Sequence, residues 1–137
     1  MNRVVVLDTS AIFAHLEDEE GSDEVEQLLL DADRGESTVF VSFVSLTEVR
    51  YVLMQEQDVP SADRAVAIVK SWPMRWVHSD EELCMTAARL KAFHRISLAD
   101  SFVAATAKTL SAELMHKDPE FEALTDEIVL SALPYKG

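Results

Sequence analysis

Apolar residues run unbroken from Val4 to Leu7 and stop at Asp8, a pattern that predicts a strand over Arg3–Leu7 buried on both faces. From Ser10 to Leu16 the spacing becomes helical, with Ile12, Phe13 and Leu16 on one side. A second helix is expected over Ser22–Asp33. Ser22 is its cap, acids fill its first turn, Val25, Leu28, Leu29 and Ala32 form its stripe, and Gly35 follows its end. Thr38–Phe43 repeats the buried-strand pattern. Leu46, Val49, Val52 and Leu53 predict a helix over Ser45–Gln57, which Asp58 and Pro60 break. Ala62, Ala65, Val66 and Val69 predict the next over Pro60–Ser71, closed by Pro73. Met74–Val77 reads as a short strand. Ser79 then caps a helix reaching about Phe93, and Ser97 caps one reaching about Leu110. Ala112–Met115 and Ile128–Leu130 read as late short strands.

Strands alternating with helices predict an α/β fold in three layers, a central and mainly parallel sheet flanked by helices. With 137 residues, 3 Gly, 4 Pro and no repeat, the chain is expected to be one domain over 1–137. The single Cys84 excludes an intrachain disulfide and reads as a buried free thiol. No apolar run approaches the roughly 18 residues of a membrane span, and the opening run is too short for a signal peptide. A cytoplasmic protein is expected.

In a parallel sheet, ligands bind beyond the carboxyl ends of the strands, so acids just after a strand or in a following first turn stand out. Asp8 ends the first strand, although Asp8, Thr9 and Ser10 would all serve as helix caps. Glu48 lies between Val44 and Val52, beside the apolar face, where a carboxylate is costly without a partner. Arg50 is two residues on and does not share that face. Asp100 forms a loose capping box with Ser97, yet it opens one of the most apolar helices, where the helix dipole favours its ionised form. Asp118 precedes Pro119, a common turn opening. Taken singly, Asp8, Asp100 and Asp118 read first as caps or turns, and only Glu48 leans towards function. Together they converge on one sheet edge, and crowded carboxylates repel unless a cation intervenes. Oxygen-only ligands suit Mg²⁺ or Mn²⁺, and neither a His/Cys zinc pattern nor a Gly-rich phosphate loop is present. His15, His78, His94 and His116 read as surface or packing residues.

These segments resemble the PIN domain family, and the length and element order are similar to VapC-type toxins of toxin–antitoxin pairs. The resemblance rests on Val5-Val6-Leu7-Asp8-Thr9-Ser10, Ser45-Leu46-Thr47-Glu48-Val49, Ile96-Ser97-Leu98-Ala99-Asp100-Ser101-Phe102 and His116-Lys117-Asp118-Pro119-Glu120-Phe121. It implies that Asp8, Glu48, Asp100 and Asp118 hold one or two Mg²⁺ or Mn²⁺ ions. Ser10 would support the site by hydrogen bonding, with Thr9 second to it. Lys117 stands where the family pattern leads one to expect a small or polar residue. The implied reaction is hydrolysis of RNA phosphodiesters by metal-activated water. The implied partners are an antitoxin protein and a second copy of the chain, to which Trp72 and Trp76 would contribute if they are not in the core.

The net charge of −13 argues against a domain that grips nucleic acid with its whole surface. Glu17–Glu20 and Asp80–Glu82 read as solvated runs. Arg89, Lys91, His94 and Arg95 form the densest basic group. They read equally as an RNA-backbone strip, with Arg95, Arg89 and Lys91 as substrate contacts, or as an exposed helix face. The acidic body would suit a basic antitoxin. Two rivals stand beside this reading. One is a non-catalytic or DNA-directed PIN-like module. The other is a phosphoacceptor domain, which would need an acid pair at the first strand's end, where Asp8 stands alone.

Overall fold

The computed structural model describes residues 2–137, so Met1, the first residue of the expected domain, lies outside the described residues. The strands are β1 (Arg3–Leu7), β2 (Ser37–Ser42), β3 (Arg75–Val77), β4 (Glu113–His116) and β5 (Leu130–Ala132). The helices are α1 (Thr9–Leu16), α2 (Ser22–Asp33), α3 (Phe43–Glu56), α4 (Val59–Ser71), α5 (Glu81–Phe93) and α6 (Leu98–Thr109), with a 3-10 helix at Pro119–Leu124. All strand pairs are parallel, in the order β3-β2-β1-β4-β5.

Central β1 is buried on both sides, as its unbroken apolar run requires. Val5 and Leu7 join Val39 and Val41 in a core with α1, α2, α3 and α4. Val6 faces the other way and joins Leu114 in a core with α5, α6 and the 3-10 helix. The result is three layers. The order reverses between β1 and β4, and this switch point opens a cleft beyond the strand ends.

Several boundaries move for reasons visible in the side chains. Gly21, at φ +100°, precedes α2 in place of a Ser22 cap, because the Ser22 hydroxyl is engaged with His15 Nδ1 at 3.1 Å. A side chain at Gly21 would also meet Leu133 at 3.0 Å. Helix α3 starts at Phe43 instead of Ser45, since the Ser42 hydroxyl accepts the Val44 N–H. Asp80 caps α5 in place of Ser79, accepting from the Leu83 N–H at 2.8 Å. The last strand falls at Leu130–Ala132 because the Ile128 N–H closes a turn onto Leu124. Cys84 is half-buried instead of buried. Trp72 and Trp76 both pack, partly buried, against the core beneath α1–α4.

Candidate active site

Asp8 leaves β1 at the switch point, where its N–H donates to Met115 O of β4 at 3.0 Å. It caps α1, as its residue type allows. One carboxylate oxygen, Oδ2, accepts the Ser10 N–H at 3.0 Å and the Ser10 hydroxyl at 2.5 Å. The other, Oδ1, is buried without a hydrogen-bond partner among the described residues. Ser10 is itself fixed from β4's side, its Oγ accepting the Lys117 N–H at 2.8 Å. Glu48, half-buried on the second turn of α3, accepts at Oε1 from the Thr9 hydroxyl at 2.7 Å. Thr9 and Ser45 are linked by a 2.8 Å bond between hydroxyls. Because the Thr9 proton goes to Glu48, Ser45 is the donor in that pair.

Asp100 is only 8% exposed, in the first turn of α6. Its N–H donates to Ser97 Oγ, the cap expected from the sequence, but its carboxylate makes no hydrogen bond among the described residues. Asp118 caps the 3-10 helix. Its Oδ1 accepts from Glu120 N–H at 2.9 Å. Asp100, Asp118 and Glu120 each present an oxygen such that all three lie within 4.8 Å of one another. Glu120 went unrecognised in the sequence. The available signal was its place two residues after Asp118, in the turn that Pro119 starts.

Asp8 and Glu48 are not part of that group of three, and they act on it through their charge. Burial, reinforced by the charges of Asp8, Asp118, Glu120 and Glu48, pushes the Asp100 carboxyl up to about 8. Burial also raises Asp8 to about 6, with Glu48 and Asp118 adding to the rise and the Ser10 bonds opposing it. A cation among these oxygens would reverse both penalties.

The PIN domain family model matches residues 5–127, most of the chain and all of these acids. The chain belongs to the PIN domain family. Comparison with curated protein sequences gives no match. Among solved structures, a chain in the VapBC2 structure from Rickettsia felis, bound to a DNA fragment from its promoter, is similar with TM-score 0.77 and 16% identity, covering 96% of this chain and 99% of that one. VapBC-5 from Mycobacterium tuberculosis, of the VapBC family of toxin–antitoxin systems, gives 0.65 at 23% identity, covering 95% and 97%. VapC20 from Mycobacterium tuberculosis, described as a sarcin–ricin loop cleaving toxin, gives 0.68 at 20% identity, covering 87% and 93%.

Around this PIN centre the basic residues divide. Arg89 is held by Glu127 at 3.0 Å, and Glu127 also takes His94 and Lys108. Hydrogen bonds from Arg89 first, then Lys108 and His94, hold the Glu127 carboxyl down at about 2. Lys91 and Arg95 are exposed and make no ion pair among the described residues. Lys117 turns away from the acids. It is buried, and its Nζ donates to Glu20 O at 2.6 Å and pairs with Glu19 at 3.5 Å. Beside the acids, a groove of about 330 Å³ is lined by Phe13, Val52, the acids Glu17, Glu19, Glu56 and Asp118, and the lysines Lys117 and Lys136. Burial holds the His116 imidazole below its usual range, so it packs as a neutral ring.

Proposed function

We propose that this PIN domain is a metal-dependent ribonuclease that hydrolyses RNA phosphodiester bonds, and that it is the toxin of a toxin–antitoxin pair. The observation that carries the metal reading is the unpartnered, buried Asp8 Oδ1 within a cluster that also holds Asp100 at about 8. Protein folding alone gives no reason to bury two such carboxylates together. An all-oxygen donor set fits Mg²⁺ or Mn²⁺. The residues that would hold the ion are Asp8, Glu48, Asp100 and Asp118, with Glu120 joining them. When bound, such an ion supplies Lewis-acid stabilisation of phosphoryl charge and lowers the pKa of water.

The chain's own groups do the rest. Ser10 directs Asp8, leaving Oδ1 free, and Thr9 occupies one oxygen of Glu48. Arg95 and Lys91 are free to meet RNA phosphates, whereas Arg89 must first give up Glu127. The groove carries four acids, Glu17, Glu19, Glu56 and Asp118, against Lys117 and Lys136, and this acidic balance suits a basic segment of an antitoxin protein better than RNA. The toxin–antitoxin systems among the structures of similar fold favour that partner. The reading includes a homodimer working in the cytoplasm, with the whole chain as one catalytic domain. Among the described residues no helix is long and apolar enough to cross a membrane.

The direct test is cleavage of single-stranded RNA and of the DNA of equal sequence by the purified chain. RNA should be cut in Mg²⁺ or Mn²⁺ and spared in chelator, and DNA should be spared throughout. Cleavage that persisted in chelator would defeat the metal reading, and DNA cleavage would redirect it.

A further inference from the structure

A run of hydrogen bonds links three of the acids and begins at a residue that is not one of them. His116, the last residue of β4, is fully buried, and its Nδ1 accepts the backbone N–H of Asp118 at 3.2 Å. Asp118 Oδ1 accepts the Glu120 N–H at 2.9 Å. Glu120 Oε1 accepts the Ser97 N–H at 2.5 Å, and Ser97 Oγ accepts the Asp100 N–H at 3.1 Å. Every link joins a side chain to the backbone of the next residue. Each one therefore fixes the point from which the following side chain starts.

The ring's other edge shows what histidine contributes. With Nδ1 accepting, the proton sits on Nε2, which is buried without a partner among the described residues. It lies among aromatic rings, Phe121 at 5.2 Å and Tyr135 at 6.0 Å between centroids. A leucine would fill such a place without stranding a polar N–H, so packing alone disfavours histidine there. What the imidazole adds is the acceptor for Asp118.

We propose that His116 is a positioning residue for the acidic centre, acting through Asp118, Glu120 and Ser97 to set where the carboxylates of Asp118, Glu120 and Asp100 stand. Glu120 is the middle of this relay. One of its oxygens holds the start of α6, and the residue stays within 4.8 Å of Asp100 and Asp118. The proposal rests on the metal-dependent reading, because cation affinity is what positioned carboxylates confer.

The test uses two variants of the full chain. His116→Leu keeps buried bulk and removes the acceptor. His116→Asn keeps it, since an asparagine carbonyl closes the same turn onto the N–H two residues on. Amide hydrogen exchange is measured in chelator, and Mn²⁺ affinity by electron paramagnetic resonance. In His116→Leu the amides of Asp118 and Ser97 should exchange about tenfold faster or more, while that of Ser10 keeps the parental rate. Mn²⁺ affinity should fall about tenfold, at the low end for lost outer-shell partners. His116→Asn should restore all of these.

Unchanged Ser97 exchange in His116→Leu would overturn the relay. So would equal loss in His116→Asn, or Ser10 loosening in step with Ser97, which would make His116 a folding residue. Selective release of Ser97 with parental Mn²⁺ affinity would also overturn it. Should the parent bind no Mn²⁺, the metal reading fails by itself, and selective release of Ser97 in chelator would still establish the relay.

Discussion

The Thr9 hydroxyl and the Glu48 carboxylate, 39 positions apart, meet at 2.7 Å, and this bond joins the first turn of α1 to α3. Thr9 is buried, and Ser45 Oγ lies 2.8 Å from its hydroxyl, so neither polar group is idle. Thr9→Val keeps the shape and removes the hydroxyl. It should destabilise the chain by about 1 kcal/mol or more, because Ser45 loses its acceptor. It should also weaken Mn²⁺ binding about tenfold, as loss of an outer-shell partner does. Thr9→Ser should restore both. Urea unfolding in chelator and metal titration measure the two effects separately.

Asp100→Asn removes one charge and one oxygen ligand at almost constant volume. Without metal the variant should be at least as stable as the parent. Relief of the repulsion from Asp8, Asp118, Glu120 and Glu48 opposes the loss of a first-turn charge worth roughly 0.3–1 kcal/mol. Excess Mn²⁺ should reverse the order, since the ion stabilises the parent by mass action. RNA cleavage should fall to background. Thermal unfolding in both conditions, beside a cleavage assay, checks it. Equal destabilisation in both conditions with surviving cleavage would return Asp100 to a helix-start role.

The acids also set a pH dependence. Asp100 at about 8 and Asp8 at about 6 both lie above their ordinary 3.8, so the folded chain holds protons that the unfolded chain has released. Their contribution is complete below about pH 4 and is lost as pH rises towards 8. Glu127, held at about 2 against an ordinary 4.5, runs the other way, its contribution disappearing as pH falls from about 4.5 through 2. In chelator, maximum stability should therefore lie on the acid side of neutrality. Excess Mn²⁺ should move it upward, because the ion binds ionised carboxylates. Urea midpoints across pH, with and without metal, give the two profiles.

Arg95 and Arg89 should separate under substitution. Arg95→Ala should weaken RNA binding and flatten its salt dependence by a slope of about 0.7 for a single strand. Arg89→Ala should leave that slope near the parental value, because Arg89 is engaged with Glu127. Binding measured in Ca²⁺ over a range of salt would decide. An unchanged slope for Arg95→Ala would leave Arg95 a solvated charge.

Much of this centre could be read from linear pattern. Asp8 ends an apolar run that must be a strand, and Asp100 opens an apolar helix behind a Ser97 cap. Both positions follow from local sequence, and the parallel order of elements brings them to one edge. Glu120 was not legible in this way. In sequence it is an acid after a proline, and its place depends on the Ser97 backbone 23 residues away. Competition for hydroxyls explains other shifts. Ser22 is a helix cap by residue type, but His15 takes its hydroxyl, and at α3 the Ser42 hydroxyl captures the Val44 N–H and starts the helix two residues early. Lys117 looked like an intrusion beside Asp118, yet its long side chain carries the charge to Glu19 and Glu20 and leaves only its backbone at the centre.

Strand β1, made before the other four, lies between β2 and β4 in the finished sheet, and Asp8 is tied to Met115, 107 residues later. Closure across such sequence separations is slow compared with local folding, and here it also has to wait for synthesis. At about 5–20 residues per second, Asp8 leaves the ribosome's catalytic centre roughly 5–20 s before Met115 does. A half-translated chain can fold its first helices against β1 and β2, but it has neither the Lys117 amide that fixes Ser10 nor the relay that begins at His116. For an enzyme proposed to cut RNA, this order of assembly withholds a complete acidic centre until β4 and the turn after it have been made.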